Sequence, residues 1–219
     1  MNIHKNEFKR FETLNGLANM GGTVIIGSTF ANAIPANELK QTYNIDCDVY
    51  NRSIADLTIF EASELIEKTM EQLKPSRILL NLGETDLELG FSSVKEIVEC
   101  YEKIINMIHN ANKHCKIVIV SVCDNEYNIQ PNVLNRDIEA LSRKYKCQYA
   151  DITSASGKKF PALEAFRALK YFMTGSMTFA DAVDDYNNFD DNGKVSHSMS
   201  HSQYSVPSFA WFLRFYSKS

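Results

Sequence analysis

Positive charge is in short supply in this chain: 23 lysines and arginines stand against 27 aspartates and glutamates, a formal net charge of -4. With no basic surplus to neutralise phosphates, neither nucleic acid nor an anionic membrane surface is an expected partner. Cysteine is sparse too. The five (Cys47, Cys100, Cys115, Cys123 and Cys147) are odd in number and never spaced as Cys-x-x-Cys, which excludes the usual disulfide framework and zinc-site patterns and fits buried thiols in a reducing compartment. The first ten residues have no apolar core of signal-peptide length, and no uncharged apolar run is long enough to cross a bilayer, so the expectation is a cytoplasmic protein without membrane insertion. No internal repeat and no low-complexity tract is found.

What is present is the composition of an ordinary globular protein, 44% hydrophobic and 23% charged. A length of 219 residues with no break in composition suits a single domain, residues 1–219. Short runs rich in β-branched residues at 23–26, 77–82, 116–120 and 148–152 read as buried parallel strands, with 48–51 as a fifth. Helical patterns lie between them. Val94, Ile97, Val98, Tyr101, Ile104, Ile105 and Ile108 form a stripe at spacings of three and four, opened by a Ser93/Glu96 capping box. A second stripe runs from Ala62 to Leu73 and stops before Pro75, and a third includes Val133, Leu134, Ile138 and Leu141.

Strands alternating with helices predict a doubly wound α/β sheet, whose ligand crevice lies outside the carboxyl ends of the strands. The segments to inspect are therefore 27–32, 52–58, 83–90 and 121–128. Further on, Phe160 to Met173 carries apolar residues at roughly helical spacing and an acidic, Asn-rich stretch follows, which reads as an inserted helix and loop at about 157–190. This stripe could cover an acyl pocket, but a helix packed on the domain or a homodimer contact is the commoner use of such a face.

Four punctuation points recur in the order of a known family. Gly27-Ser28-Thr29 follows the first strand, Asn51-Arg52-Ser53 follows the second, and Gly83-Glu84-Thr85-Asp86 follows the third; His197 and His201 precede the last apolar segment. The chain resembles the SGNH (GDSL) hydrolases over residues 20–215, where the corresponding blocks are Gly-Asp-Ser, Asn-Arg-Gly, Gly-x-Asn-Asp and Asp-x-x-His. The resemblance implies a three-layer α/β/α sandwich with a central parallel five-stranded sheet, flavodoxin-like in outline. It puts Thr29 at the nucleophile position with Ser28 beside it, and the backbone amide of Ser53 and the side chain of Thr85 at the oxyanion positions. His197 or His201 would be the base. The residues three positions before them are Lys194 and Ser198, so the aspartate of Asp-x-x-His is replaced in both registers, and Asp190 or Asp191 is left as an orienting carboxylate.

Each of these residues has a bland reading. Ser28 and Thr29 suit a helix N-cap, and the two histidines suit an exposed serine-rich loop. His109 and His114 have no carboxylate or cysteine at metal spacing, and the acidic pairs 184–185 and 190–191 lack the glycine and terminal glutamate of a calcium loop. Two functions follow. One is an acyl ester hydrolase acting through a hydroxyl, an imidazole and an oxyanion hole on a small ester, with no metal or organic cofactor. The other is a catalytically inactive protein of the same fold that binds a ligand or partner in the cleft. A flavodoxin-like nucleotide binder ranks last, because residues 27–32 are poor in glycine for cradling phosphate.

Overall fold

The computed structural model describes residues 4–124 and 131–173. Five strands form one sheet: β1 (Thr23–Gly27), β2 (Val49–Asn51), β3 (Arg77–Asn81), β4 (Lys116–Val120) and β5 (Gln148–Ala150). They pair in the order β2-β1-β3-β4-β5, all parallel. All five coincide with the runs expected from sequence, to within two residues at either end.

Eight helices are found among the described residues: α1 (Lys5–Asn15), α2 (Thr29–Asn32), α3 (Ala36–Thr42), α4 (Ile59–Leu73), α5 (Glu84–Leu89), α6 (Val94–Ala111), α7 (Asn132–Tyr145) and α8 (Pro161–Met173). The architecture is the three-layer α/β/α sandwich. Because side chains alternate along a strand, Val24, Ile26, Ile78, Leu80, Ile117 and Ile119 share one face and pack into a core with α1, α4, α6 and α7. That core is dense in Ile and Leu from α4 and α6, including Leu65, Ile66, Ile104, Ile105 and Ile108, all essentially inaccessible. Truncating any one of these to alanine is expected to cost about 2–5 kcal/mol. The other layer includes α3 and α8, joined by the stacked rings of Tyr43 and Phe166, 5.9 Å between centroids. α8 is tied back to the first strand by the Thr23 hydroxyl, which donates to the Met173 carbonyl at 3.0 Å.

Both long core helices start on capping boxes. Ser93 and Glu96 open α6 as the sequence predicts, and Thr58 and Glu61 open α4 in the same way. α8 covers the first part of the segment expected to be an inserted helix and loop, and residues 174–190 of that segment lie outside the described residues. Among the described residues, no helix is long and apolar enough to cross a membrane. All five cysteines are free; Cys100, Cys115 and Cys123 are buried, and Cys47 and Cys147 are partly so.

Candidate active site

β2 and β3 flank β1 on opposite sides, so the chain reverses its direction of winding between β1 and β3. In sheets of this order the loops leaving those two strands part and leave a crevice at their carboxyl ends. The two loops are held close by a glycine. A Cβ on Gly27 would lie 2.4 Å from the Asn81 carbonyl and 2.5 Å from the Ala31 side chain, so only glycine lets the exit of β1 lie against β3 and α2 together. Ser28 continues the chain in an extended conformation, its N–H donating to the Asn81 carbonyl at 3.2 Å, and Thr29 begins α2.

The exit of β3 is fixed from beneath. The Tyr101 hydroxyl accepts the Leu82 N–H and donates to the Leu82 carbonyl, both at 2.9 Å. Burial pushes this phenol above its usual range, which keeps it protonated as the donor. Gly83 then turns the chain at φ 100°, a conformation that favours glycine, and delivers Glu84, Thr85 and Asp86 on the first turn of α5. All three are buried.

The second block prolongs the sheet beyond β2. Arg52 N–H donates to the Ile25 carbonyl at 2.8 Å and Ile54 N–H to the Gly27 carbonyl at 3.1 Å. Asn51 braces the turn on both sides: its Nδ2 donates to the carbonyls of Ala31 and Ile34, at 2.8 and 3.0 Å, while its Oδ1 accepts the Ser53 N–H at 2.9 Å. The Ser53 amide is thus already engaged, and the buried Ser53 hydroxyl has no partner among the described residues.

Two hydroxyl pairs result from these loops. Ser28, wholly inaccessible, is hydrogen-bonded through Oγ to Oγ1 of Thr85, which is 3% exposed. Thr29 is exposed and pairs instead with Asp56 from the loop after β2. Its hydroxyl donates to Asp56 Oδ1 at 3.2 Å and accepts the Asp56 N–H at 3.0 Å. Asp56 reaches this position with φ 59°, in the left-handed region, which aspartate and asparagine enter more readily than most residues other than glycine.

Two buried carboxylates complete the floor. Glu84 Oε2 accepts the Phe30 N–H at 2.9 Å, next in the chain to Thr29. Asp86 Oδ2 accepts the Ile59 N–H at 2.9 Å, the first amide of α4, while its Oδ1 finds no donor on another described residue. Burial raises the Asp86 carboxyl to about 6, opposed by these amide hydrogen bonds.

Of the residues singled out by sequence, the structure brings Ser28 against Thr85, places Thr29 on the exposed side of the same turn, and sets Ser53 on the neighbouring loop. His197, His201 and Asp191 lie outside the described residues. Sequence reasoning passed over Asp56, Asn51 and Glu84 as individuals. Asp56 falls inside the 52–58 crevice segment, which was the available signal; its pairing with Thr29 spans 27 positions and leaves no local pattern. Among the described residues no cluster of three or more His, Cys, Asp or Glu could hold a metal ion.

No family profile matches the chain, and no curated protein matches it in sequence. Solved structures do match. A Streptococcus pneumonia protein named for platelet activating factor superimposes with a TM-score of 0.67 at 15% identity, covering 78% of this chain and 92% of that one. A GDSL-like lipase from Bacteroides thetaiotaomicron gives 0.61 at 14% identity, over 75% and 93%. A psychrotrophic esterase from a Pseudoalteromonas species gives 0.55 at 14% identity, over 69% and 98%. A doubly wound α/β/α protein with its crevice at the β1–β3 switch is therefore the class. Within it, this chain has the fold of the SGNH (GDSL) hydrolases.

Proposed function

We propose that the protein is an acyl ester hydrolase that uses the Thr29 hydroxyl as its nucleophile on a small ester. The observation that carries this reading is the contrast at the exit of β1. The Thr29 hydroxyl is exposed at the carboxyl end of the sheet and touches a carboxylate, while that of Ser28 is buried against Thr85. A nucleophilic hydroxyl needs access to the carbonyl and a neighbouring proton acceptor, and of the two only Thr29 has both. The neighbours of this fold that are esterases and lipases support the same reaction type.

In the reaction, Thr29 Oγ1 bonds to the acyl carbon as its proton passes to a base. The tetrahedral intermediate expels the alkoxide, which takes that proton, and water then releases the acyl group from Thr29 by the same steps in reverse order. The Ser53 N–H and the Thr85 hydroxyl are the oxyanion donors. Thr85 keeps its proton for the substrate when Ser28 is the donor of their shared hydrogen bond, so Ser28 serves the site by orienting Thr85. The Ser53 amide reaches the oxyanion by exchanging its bond to Asn51. The base that the resemblance implies, His197 or His201 with Asp191 to orient it, lies outside the described residues. The cysteine usage and the acidic balance support a cytoplasmic protein acting on a small molecule rather than on nucleic acid.

The test is hydrolysis of p-nitrophenyl acetate and butyrate by the purified protein, beside Thr29→Ala. Turnover by wild type that is lost in the variant is the expected result. Equal, background rates for both across short-chain esters would remove the hydrolase reading and leave a protein that binds in this cleft.

A further inference from the structure

We infer that Asp56 is the group that takes the proton from the Thr29 hydroxyl, so that nucleophile and base form a pair complete within the loops after β1 and β2. This rests on the ester-hydrolase reading above and changes its base.

The geometry of the pair is that of an activated hydroxyl. A threonine oxygen has one proton and two lone pairs. Here the proton points at Asp56 Oδ1 (3.2 Å) and one lone pair accepts the Asp56 N–H (3.0 Å), which leaves the second lone pair for an acyl carbon. The amide hydrogen also favours the negative charge that grows on Oγ1 as its proton departs. If the contact served only to tie the two loops together, the amide would be enough. The carboxylate is additional, and it is placed at φ 59°, where glycine would hold the backbone without strain. The fourth block argues the same way, since Lys194 and Ser198 stand where a carboxylate would orient His197 or His201.

The step balances within the pair. The Oγ1–H proton moves to Asp56 Oδ1 as the Oγ1–C bond forms, and Asp56 returns it to the departing alkoxide as the C–O bond of the ester breaks. In deacylation Asp56 takes a proton from water and returns it to Thr29 Oγ1.

A fluorophosphonate probe reads nucleophilicity without depending on the ester chosen: an O–P bond forms, the P–F bond breaks and fluoride leaves. Wild type is expected to be labelled on the peptide containing Thr29. Asp56→Asn keeps the size, the backbone amide and a residue tolerated in the left-handed region; Asp56→Gly keeps the amide and suits that backbone better still. Both should slow labelling and p-nitrophenyl acetate turnover by roughly 100-fold or more, with the substrate KM little changed. Either Asp56 variant labelling at the wild-type rate overturns the inference and leaves the hydrolase reading standing. Ester turnover with the label on a residue other than Thr29 overturns both the inference and the choice of nucleophile. No label and no turnover in wild type overturns the inference and the hydrolase reading together.

Discussion

Two hydroxyls follow one another at the end of β1, on Ser28 and Thr29, and their surroundings could hardly differ more. Ser28 faces into the protein, where the close approach of β1 to β3 over Gly27 brings it against Thr85 with no solvent to compete. Thr29, one residue on, has turned onto the first position of α2 and stands in solvent against Asp56. The carboxylates repeat the contrast. Asp86 is buried at the first amide of α4, whereas Asp56 is exposed on a turn of positive φ. On the inner side the polar groups are engaged with one another and with backbone amides; on the outer side they face solvent.

The largest effect expected from breaking this contrast is on turnover. Thr29→Ala removes the outer hydroxyl and should lower ester hydrolysis by roughly 10^4-fold or more, with thermal stability nearly unchanged because the position is exposed. Ser28→Ala should do the opposite. It leaves the buried Thr85 hydroxyl without its partner, at about 1–3 kcal/mol of stability, while activity falls far less than in Thr29→Ala, by at most the roughly 100-fold of a misaligned oxyanion donor. Thermal unfolding and p-nitrophenyl acetate kinetics on both variants check the pair. If Ser28→Ala abolishes activity at wild-type stability, the roles of the two hydroxyls are reversed.

The second prediction concerns the inner carboxylate. Burial holds Asp86 at about 6 in the folded protein, against about 4 in an unfolded chain, so between these values the folded state keeps a proton that the unfolded state releases. The contribution of Asp86 to stability is then fully present below about pH 4 and is lost as pH rises through about 6. The span of about two units corresponds to about 3 kcal/mol at most. Asp86→Asn keeps an acceptor for the Ile59 N–H but removes the titration. Wild type should lose stability relative to this variant between pH 4.5 and 7, followed by urea unfolding. Parallel curves for the two proteins would mean that Asp86 is solvated in the folded state.

How far this site could be read in advance follows from the range of the interactions that make it. The strands were legible because a buried parallel strand is a continuous apolar run, and α6 because its stripe and the Ser93/Glu96 box are local. The Thr58/Glu61 box at the start of α4 carries the same signal, but the apolar stripe alone put that helix at Ala62. The short helices α2, α3 and α5 are held by tertiary contacts and are too brief to show a period. α1 went unread because its apolar contribution rests on little more than Phe8 and Phe11. The turn carrying Ser28 and Thr29 was found from its place after β1. Which hydroxyl would be buried was not, because that is decided by Gly27 against Asn81, 54 positions away in the chain. Asp56 was hidden for a related reason: its position depends on a backbone angle that sequence spacing does not encode.

The smallest effect expected is on the outer carboxylate's own stability, and it sharpens the comparison most directly. Asp56 occupies the left-handed region at a cost that glycine avoids, offset in part by the greater chain entropy glycine brings to the unfolded state. Asp56→Gly also gives up the Thr29 hydroxyl's bond to Oδ1, worth little at an exposed position, and keeps the amide bond to Thr29 Oγ1. The net change should be small, from neutral to a gain of about 1 kcal/mol. A variant at least as stable as wild type yet catalytically impaired is what a residue retained for chemistry at the expense of the fold produces. A clear loss of stability instead, above about 1 kcal/mol by urea unfolding, would place Asp56 with Asp86 as a support of the loop and erase the distinction between the inner and outer sides of the turn.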